Sequence, residues 1–158
     1  MTVRTLILLR HAKAADPDDY ATDLERPLTA RGHRDAAAAG AWLREAGLQP
    51  DAALCSTSVR TRETLDELAL QDVPVIYEHR IYVGPAMDTL ELVQQSDASV
   101  QTLLLVGHNP TISDLSDSLA PRALDRGLAT SGIAIHRFEG TWKDLEAAPL
   151  TAQHTARG

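Results

Sequence analysis

The sequence predicts an α/β fold, a three-layer sandwich with a mostly parallel central sheet and helices on both faces. Three observations predict it. Short apolar runs alternate along the chain with longer stretches of helical period. The runs are apolar at nearly every position, as strands buried on both faces must be. The chain has 158 residues, the size of one domain with a core of its own. Residues 1–158 are therefore read as a single domain.

The elements follow in order. Val3 to Leu9 (VRTLILL) reads as a buried strand. Thr29 to Gly47 reads as a helix: Ala39, Trp42, Leu43 and Ala46 fall at i, i+3, i+4 and i+7, and Gly47 is a stop. Ala52 to Cys55 is a second strand, and Ser58 to Leu70 a second helix with Ser56 or Ser58 as its cap. Val73 to Tyr77 is β-branched and aromatic, a third strand. Met87 to Gln95 is a shorter helix, and Gln101 to Val106 a fourth strand. Pro110 to Leu119 is a helix with Asn109 expected as its N-cap. Ile133 to Phe138 is a fifth strand, closed by a turn at Glu139-Gly140. Trp42 lies at core spacing, and Trp142 is expected to anchor the C-terminal segment. Residues 151–158 carry no pattern and are expected to form a loose tail or an edge extension.

Composition narrows the function. Fifteen Lys and Arg against 22 Asp and Glu leave a net charge of −7, which argues against binding nucleic acid or an anionic membrane. A single cysteine, Cys55, excludes an internal disulfide and a cysteine-rich metal site. The apolar run Leu6 to Leu9 is too short for a signal peptide or a membrane span, so a cytoplasmic protein is expected.

In open α/β sheets, ligands bind beyond the carboxyl ends of the strands. Arg10-His11-Ala12-Lys13 follows the first strand, Ser56-Thr57-Ser58-Val59-Arg60 the second, and Gly107-His108-Asn109-Pro110 the fourth. Two histidines, two arginines and a lysine from distant segments thus converge on one rim. Arginine forks match phosphate oxygens, and helix N-termini favour anions. Of two histidines beside such a pocket, one neutral imidazole can attack phosphorus and the other stabilise the transferring charge. Nearby cations keep the nucleophile unprotonated. Each residue alone also has a plain reading: a strand-end hydrogen bond for a histidine, a solvated helix position for Arg60, an exposed ammonium for Lys13.

These segments resemble the histidine phosphatase superfamily, the group that includes the cofactor-dependent phosphoglycerate mutases. Leu9-Arg10-His11-Ala12-Lys13 is similar to its Arg-His-Gly motif, with Ala12 in the third place, and the Arg-His-Ala-Lys form resembles the small SixA-type phosphohistidine phosphatases. Arg26-Pro27-Leu28-Thr29 with Gly32 is similar to the segment that opens the first helix of that subgroup. Ser56, Arg60 and Thr64 match the second-arginine segment, and Val106 to Pro110 the second-histidine segment. The resemblance runs from about Thr5 to about Phe138. It implies that His11 is the nucleophile of a covalent phosphohistidine intermediate, that Arg10 and Arg60 bind the phosphoryl oxygens, and that His108 completes the pocket. It implies accessory roles for Arg26 and Lys13, although Arg26 has an alternative in a salt bridge with Asp23 or Glu25. Neither a metal nor another cofactor is expected.

Many members of the superfamily carry an acidic proton donor after the third strand. Glu78 is the candidate here, against an alternative as an exposed carboxylate paired with Arg80. An alkoxide leaving group needs such an acid, whereas the imidazole of a phosphohistidine leaves far more readily. A short chain leaves little room for a lid, and a site lacking a strong acid would favour phosphohistidine presented on a partner protein. The alternative substrate is a small phosphomonoester such as a sugar phosphate or nucleotide; a non-catalytic phosphate-binding module ranks below both. The acidic stretch Asp16-Pro17-Asp18-Asp19 reads as a solvated loop or as a selector of basic partners. Cys55 reads as inert core. His33, His79, His136 and His154 read as structural or surface residues.

Overall fold

The computed structural model describes residues 2–158. Six strands form one sheet in the order β3-β2-β4-β1-β5-β6. They are β1 (Val3–Arg10), β2 (Ala52–Cys55), β3 (Val75–Tyr77), β4 (Thr102–Gly107), β5 (Gly132–Glu139) and β6 (Leu150–Thr155). β1 to β4 run parallel, whereas β5 pairs antiparallel with both β1 and β6. The helices are α1 (Ala30–Glu45), α2 (Val59–Glu67), the short α3 (His79–Val83), α4 (Ala86–Gln94) and α5 (Thr111–Leu119).

The strands are apolar throughout because both faces are covered. Successive side chains point to opposite faces. Leu6 and Leu8 of β1 with Leu103 and Leu105 of β4 join Ile81, Leu92, Ile112 and Leu115 of α3 to α5 on one side. Ile7 and Leu9 with Leu104 and Val106 join Ala39, Leu43 and Leu65 of α1 and α2, and Leu68 just past α2, on the other. This is the three-layer sandwich.

Two details depart from the sequence reading for local reasons, and residues 150–155 take the second of their two expected forms, the edge strand β6, with Ala152, His154 and Leu150 half-buried and their neighbours exposed. Its covered face is short and partly polar, so it lacked an apolar signature. Trp42 is half-buried and stacks on His154 of this strand at 4.7 Å instead of filling the core. Asn109 does not cap α5: its Nδ2 donates to the Leu128 carbonyl at 2.7 Å, and its carbonyl oxygen accepts from Ser113. Trp142 is fully buried, and its Nε1 donates to the Val100 carbonyl at 2.7 Å.

Helix α1 is tied to the chain that follows β1. Thr29 caps it by accepting from the Gly32 amide at 3.0 Å. The Thr29 amide in turn donates to the Lys13 carbonyl at 2.9 Å. Gly32 is required for this approach, because a Cβ there would lie 3.0 Å from the Lys13 carbonyl carbon and closer still to its oxygen. The obstacle is backbone and cannot rotate away. Gly32→Ala is therefore expected to lower unfolding stability by about 1–3 kcal/mol, read from urea titration.

Candidate active site

The register of β1 on β4 sets Arg10 opposite Gly107, so the residues that follow each strand emerge side by side. The His11 amide donates to the Gly107 carbonyl at 3.1 Å, and the Ser56 amide beyond β2 donates to the Val106 carbonyl at 3.1 Å. The rings of His11 and His108 stand 5.3 Å apart, centroid to centroid. They share a cavity of about 520 Å³ with Arg10, Lys13, Arg26 and Arg60. Six of the seven site residues read from the sequence therefore meet in one place.

Glu78 is the exception. It stands just before α3, with its amide bound to the Cys55 carbonyl at 2.9 Å, and it lines a separate cavity with Asp51, Leu54 and Leu92. Glu78 thus does not line the cavity shared by His11 and His108. Its suggested partner Arg80 pairs instead with Glu91 at 2.8 Å and Asp88 at 3.5 Å.

Each functional side chain is held by a nameable contact. His11 Nδ1 lies 2.7 Å from the Ala12 carbonyl oxygen, which can only accept. Nδ1 therefore carries the proton, and Nε2 keeps a free lone pair. Thr64 Oγ1 accepts from the Ala12 amide at 3.0 Å and donates to the Arg60 carbonyl at 2.7 Å. That threonine thus joins α2 to the segment that follows β1. Ser58 caps α2, accepting from the Thr61 amide, while Ser56 Oγ pairs with His108 Nε2 at 2.7 Å. Arg10 donates to the Leu128 carbonyl at 3.0 Å. Arg10 Nε and Arg60 Nε are both buried with no acceptor among the described residues. Donors of this kind, on two guanidinium groups lining one cavity, suit the oxygens of a tetrahedral anion.

Two participants escaped the sequence reading. Asp23 carries both Arg60 and Arg26: Arg60 donates to its Oδ2 and to its carbonyl, each at 2.8 Å, and Arg26 Nε to its Oδ1 at 2.9 Å. The Asp23–Arg26 salt bridge is present, and Arg26 lines the cavity as well. Tyr82 of α3 donates to Asp23 Oδ2 at 2.7 Å, and its ring meets His108 edge-on at 5.5 Å. Charge spacing signalled the Asp23–Arg26 pair only; α3, a helix of five residues, left no periodic signal for Tyr82.

The electrostatics are lopsided. Arg10, Lys13, Arg26 and Arg60 face one carboxylate, Asp23, so the cavity holds three net positive charges in a chain of −7. Burial pushes the His11 pKa down to about 4; the Ala12 hydrogen bond opposes this, and Arg60, Arg10 and Arg26 reinforce it. Burial, followed by the charges of His11 and Arg60, lowers His108 to about 3. Both imidazoles are thus neutral at pH 7. Partial burial raises the Asp23 pKa, but hydrogen bonds from Tyr82 and Arg60 and the charges of Arg60 and Arg26 outweigh it and hold the group at about 2. Asp23 is thus ionised at neutral pH and has no proton to give. Among the described residues, no three His, Cys, Asp or Glu side chains are grouped to hold a metal ion, and no helix is long and apolar enough to cross a membrane.

These histidines make stability depend on pH. In the unfolded chain they titrate near 6.5, in the fold near 4 and 3. Between those values the unfolded chain binds more protons, so stability rises with pH there. Melting temperature is expected to fall as pH drops from about 6.5 towards 4, with a shallower fall in His11→Asn.

Comparison with known proteins agrees with this geometry. The sequence profile of the histidine phosphatase superfamily (branch 1) matches residues 6–82. An uncharacterized protein of Mycobacterium tuberculosis is 39% identical over 160 residues, covering 94% of this chain and 100% of its own length. A structure from Nakamurella multipartitia named after SixA superposes with a TM-score of 0.88 at 34% identity, covering 99% of this chain and 98% of that one. The protein histidine phosphatase SixA in complex with tungstate shares the fold, with a TM-score of 0.82 at 22% identity over 96% of each chain. With the Arg10-His11 pair, Arg60 and His108 gathered around one cationic cavity, the chain belongs to the SixA type of branch 1 of the histidine phosphatase superfamily.

Proposed function

We propose that the protein hydrolyses phosphohistidine on a partner protein through a covalent phosphohistidine on His11. The observation that carries this reading is the state of Asp23. It is the one carboxylate lining the cavity, and it is held ionised by Tyr82 and the arginines. The site therefore offers no carboxylic acid to protonate an alkoxide. A phosphoramidate does not need one, because the departing imidazole can take its proton from solvent on its far nitrogen and leave neutral.

Two displacements make up the reaction. His11 Nε2 attacks phosphorus, a P–N bond forms to it, and the P–N bond to the substrate imidazole breaks. Arg10 and Arg60 neutralise the phosphoryl oxygens, and neutral His108 adds a hydrogen-bonding ring beside them. Water then attacks the phosphorus of phospho-His11, releasing inorganic phosphate and restoring neutral His11. The open, three-plus cavity lies on the rim of the sheet, where a side chain displayed by another protein can enter. Lys13 and Arg26 extend the same field towards the incoming anion.

The test compares a histidine-phosphorylated protein with a panel of small phosphomonoesters, with His11→Ala as the blank. Fast loss of phosphohistidine and slow ester turnover are expected, both reduced at least about 10³-fold in His11→Ala. Faster turnover of the esters would replace this reading with a small-molecule phosphatase. Glu78→Gln is expected to leave both rates within about twofold of the unaltered protein, since Glu78 lies in the other cavity; a selective loss of ester hydrolysis would restore it as the acid.

A further inference from the structure

We infer that Asp23 is a positioning residue, a carboxylate clamp that sets the orientation of the Arg60 guanidinium against the phosphoryl group. The inference rests on the phosphatase reading and deepens it.

Arg60 rises from the first turn of α2 as a long, flexible side chain. Left free, a guanidinium samples many rotamers, and its donors meet a transferring phosphoryl group only in some of them. Here the side chain is buried, and its two terminal nitrogens are both engaged by Asp23, one by the carbonyl and one by Oδ2, each at 2.8 Å. A two-point contact fixes the plane of the fork. Nε is left buried and without an acceptor among the described residues. The clamp thus occupies part of the fork and leaves the remaining donors for the anion.

The clamp is itself held from two sides. Arg26 grips Oδ1 while also donating to the Ala15 carbonyl at 2.8 Å, which ties Asp23 to the chain leading away from His11. Tyr82 donates to Oδ2 from α3, across the cavity mouth. Asp23 therefore joins three segments distant in sequence: the loop after the nucleophile, α2 and α3. Such a hub costs ground-state affinity, because a negative charge sits beside an anion site. Positioning compensates in the transition state, when phosphoryl charge is redistributed and the donors must already be aligned.

Opposite signs for binding and turnover make the proposal testable. Turnover of phosphoimidazole and binding of inorganic phosphate are measured for the unaltered protein, Asp23→Ala, Asp23→Asn, Tyr82→Phe and the Asp23→Ala/Tyr82→Phe pair, with thermal melting as the check on folding. In Asp23→Ala, kcat is expected to fall about 10- to 100-fold, the scale of a lost charge-assisted hydrogen bond. Phosphate binding is expected to stay within about threefold or to tighten. Asp23→Asn keeps a neutral side-chain oxygen for Arg60 beside the backbone carbonyl and should fall between the two; it carries the comparison if the alanine variant does not fold. Tyr82→Phe should lower kcat several-fold by itself and add nothing in the pair, since Tyr82 acts through Asp23. A folded Asp23→Ala or Asp23→Asn variant with kcat within threefold of the unaltered protein overturns the clamp, as does additivity in the pair. Absence of turnover in the unaltered protein overturns the phosphatase reading instead.

Discussion

The parallel pairing of β1 with β4 is the constraint on which the site depends. Its register brings Arg10 beside Gly107, and the residues that follow emerge at the same height on the same edge. β2 joins β4 on the other side, from Ala52↔Leu103 to Cys55↔Val106, and delivers Ser56 to the same rim. A slip by one residue would turn the strand side chains to the opposite faces and part the two histidines. The apolar faces prevent that slip. Leu6 and Leu8 serve one core and Ile7 and Leu9 the other, so the register is enforced by everything packed above and below the sheet. The grouping at the rim thus rests on hydrophobic burial along the strands, not on contacts among the cationic groups gathered there, which repel one another.

That repulsion is the second organising fact. Three guanidinium groups and an ammonium line one cavity, and nothing in their own chemistry favours the gathering. The protein contains it with carbonyl oxygens and one acid. Leu128 supplies a carbonyl to Arg10, Ala15 to Arg26 and Asp23 to Arg60. Asp23 adds its carboxylate, held near a pKa of about 2 by the groups it serves. Burial first, and then the same field, keeps His11 and His108 unprotonated, so the cations of the cavity reinforce the neutral state that leaves a ring nitrogen with a free lone pair. Ala12 completes the arrangement through its backbone: its carbonyl fixes the His11 tautomer, and its amide is bound by Thr64.

What was legible in the sequence follows a physical rule. Residues flanking a strongly patterned strand inherit its position, so Arg10, His11, Arg60 and His108 were found by reading past the ends of apolar runs. Residues on loops without periodicity were not. Asp23 lies in a three-residue 3₁₀ turn and Tyr82 in a five-residue helix, and both reach the cavity only because distant segments fold over it. Glu78 is the opposite case. It stands after the third strand, where an acid was expected, yet it lines the neighbouring cavity. β6 escaped because its covered positions include Ala152 and His154, which carry little apolar signal.

The sequence by itself determined the α/β class, the strands and their buried faces, and the placing of Arg10, His11, Arg60 and His108 just past strand ends. These depend on periodicity and on local order along the chain, which a sequence records directly. The tertiary structure decided the order of strands in the sheet, the edge position of β6, the grouping of Arg26 and Lys13 with the two histidines, the separation of Glu78 from that cavity and the entry of Asp23 and Tyr82. Those depend on which remote segments touch. Such contacts are selected by the packing of whole layers, and hydrogen bonds as short as Tyr82 to Asp23, at 2.7 Å across 59 positions, leave no trace in local sequence.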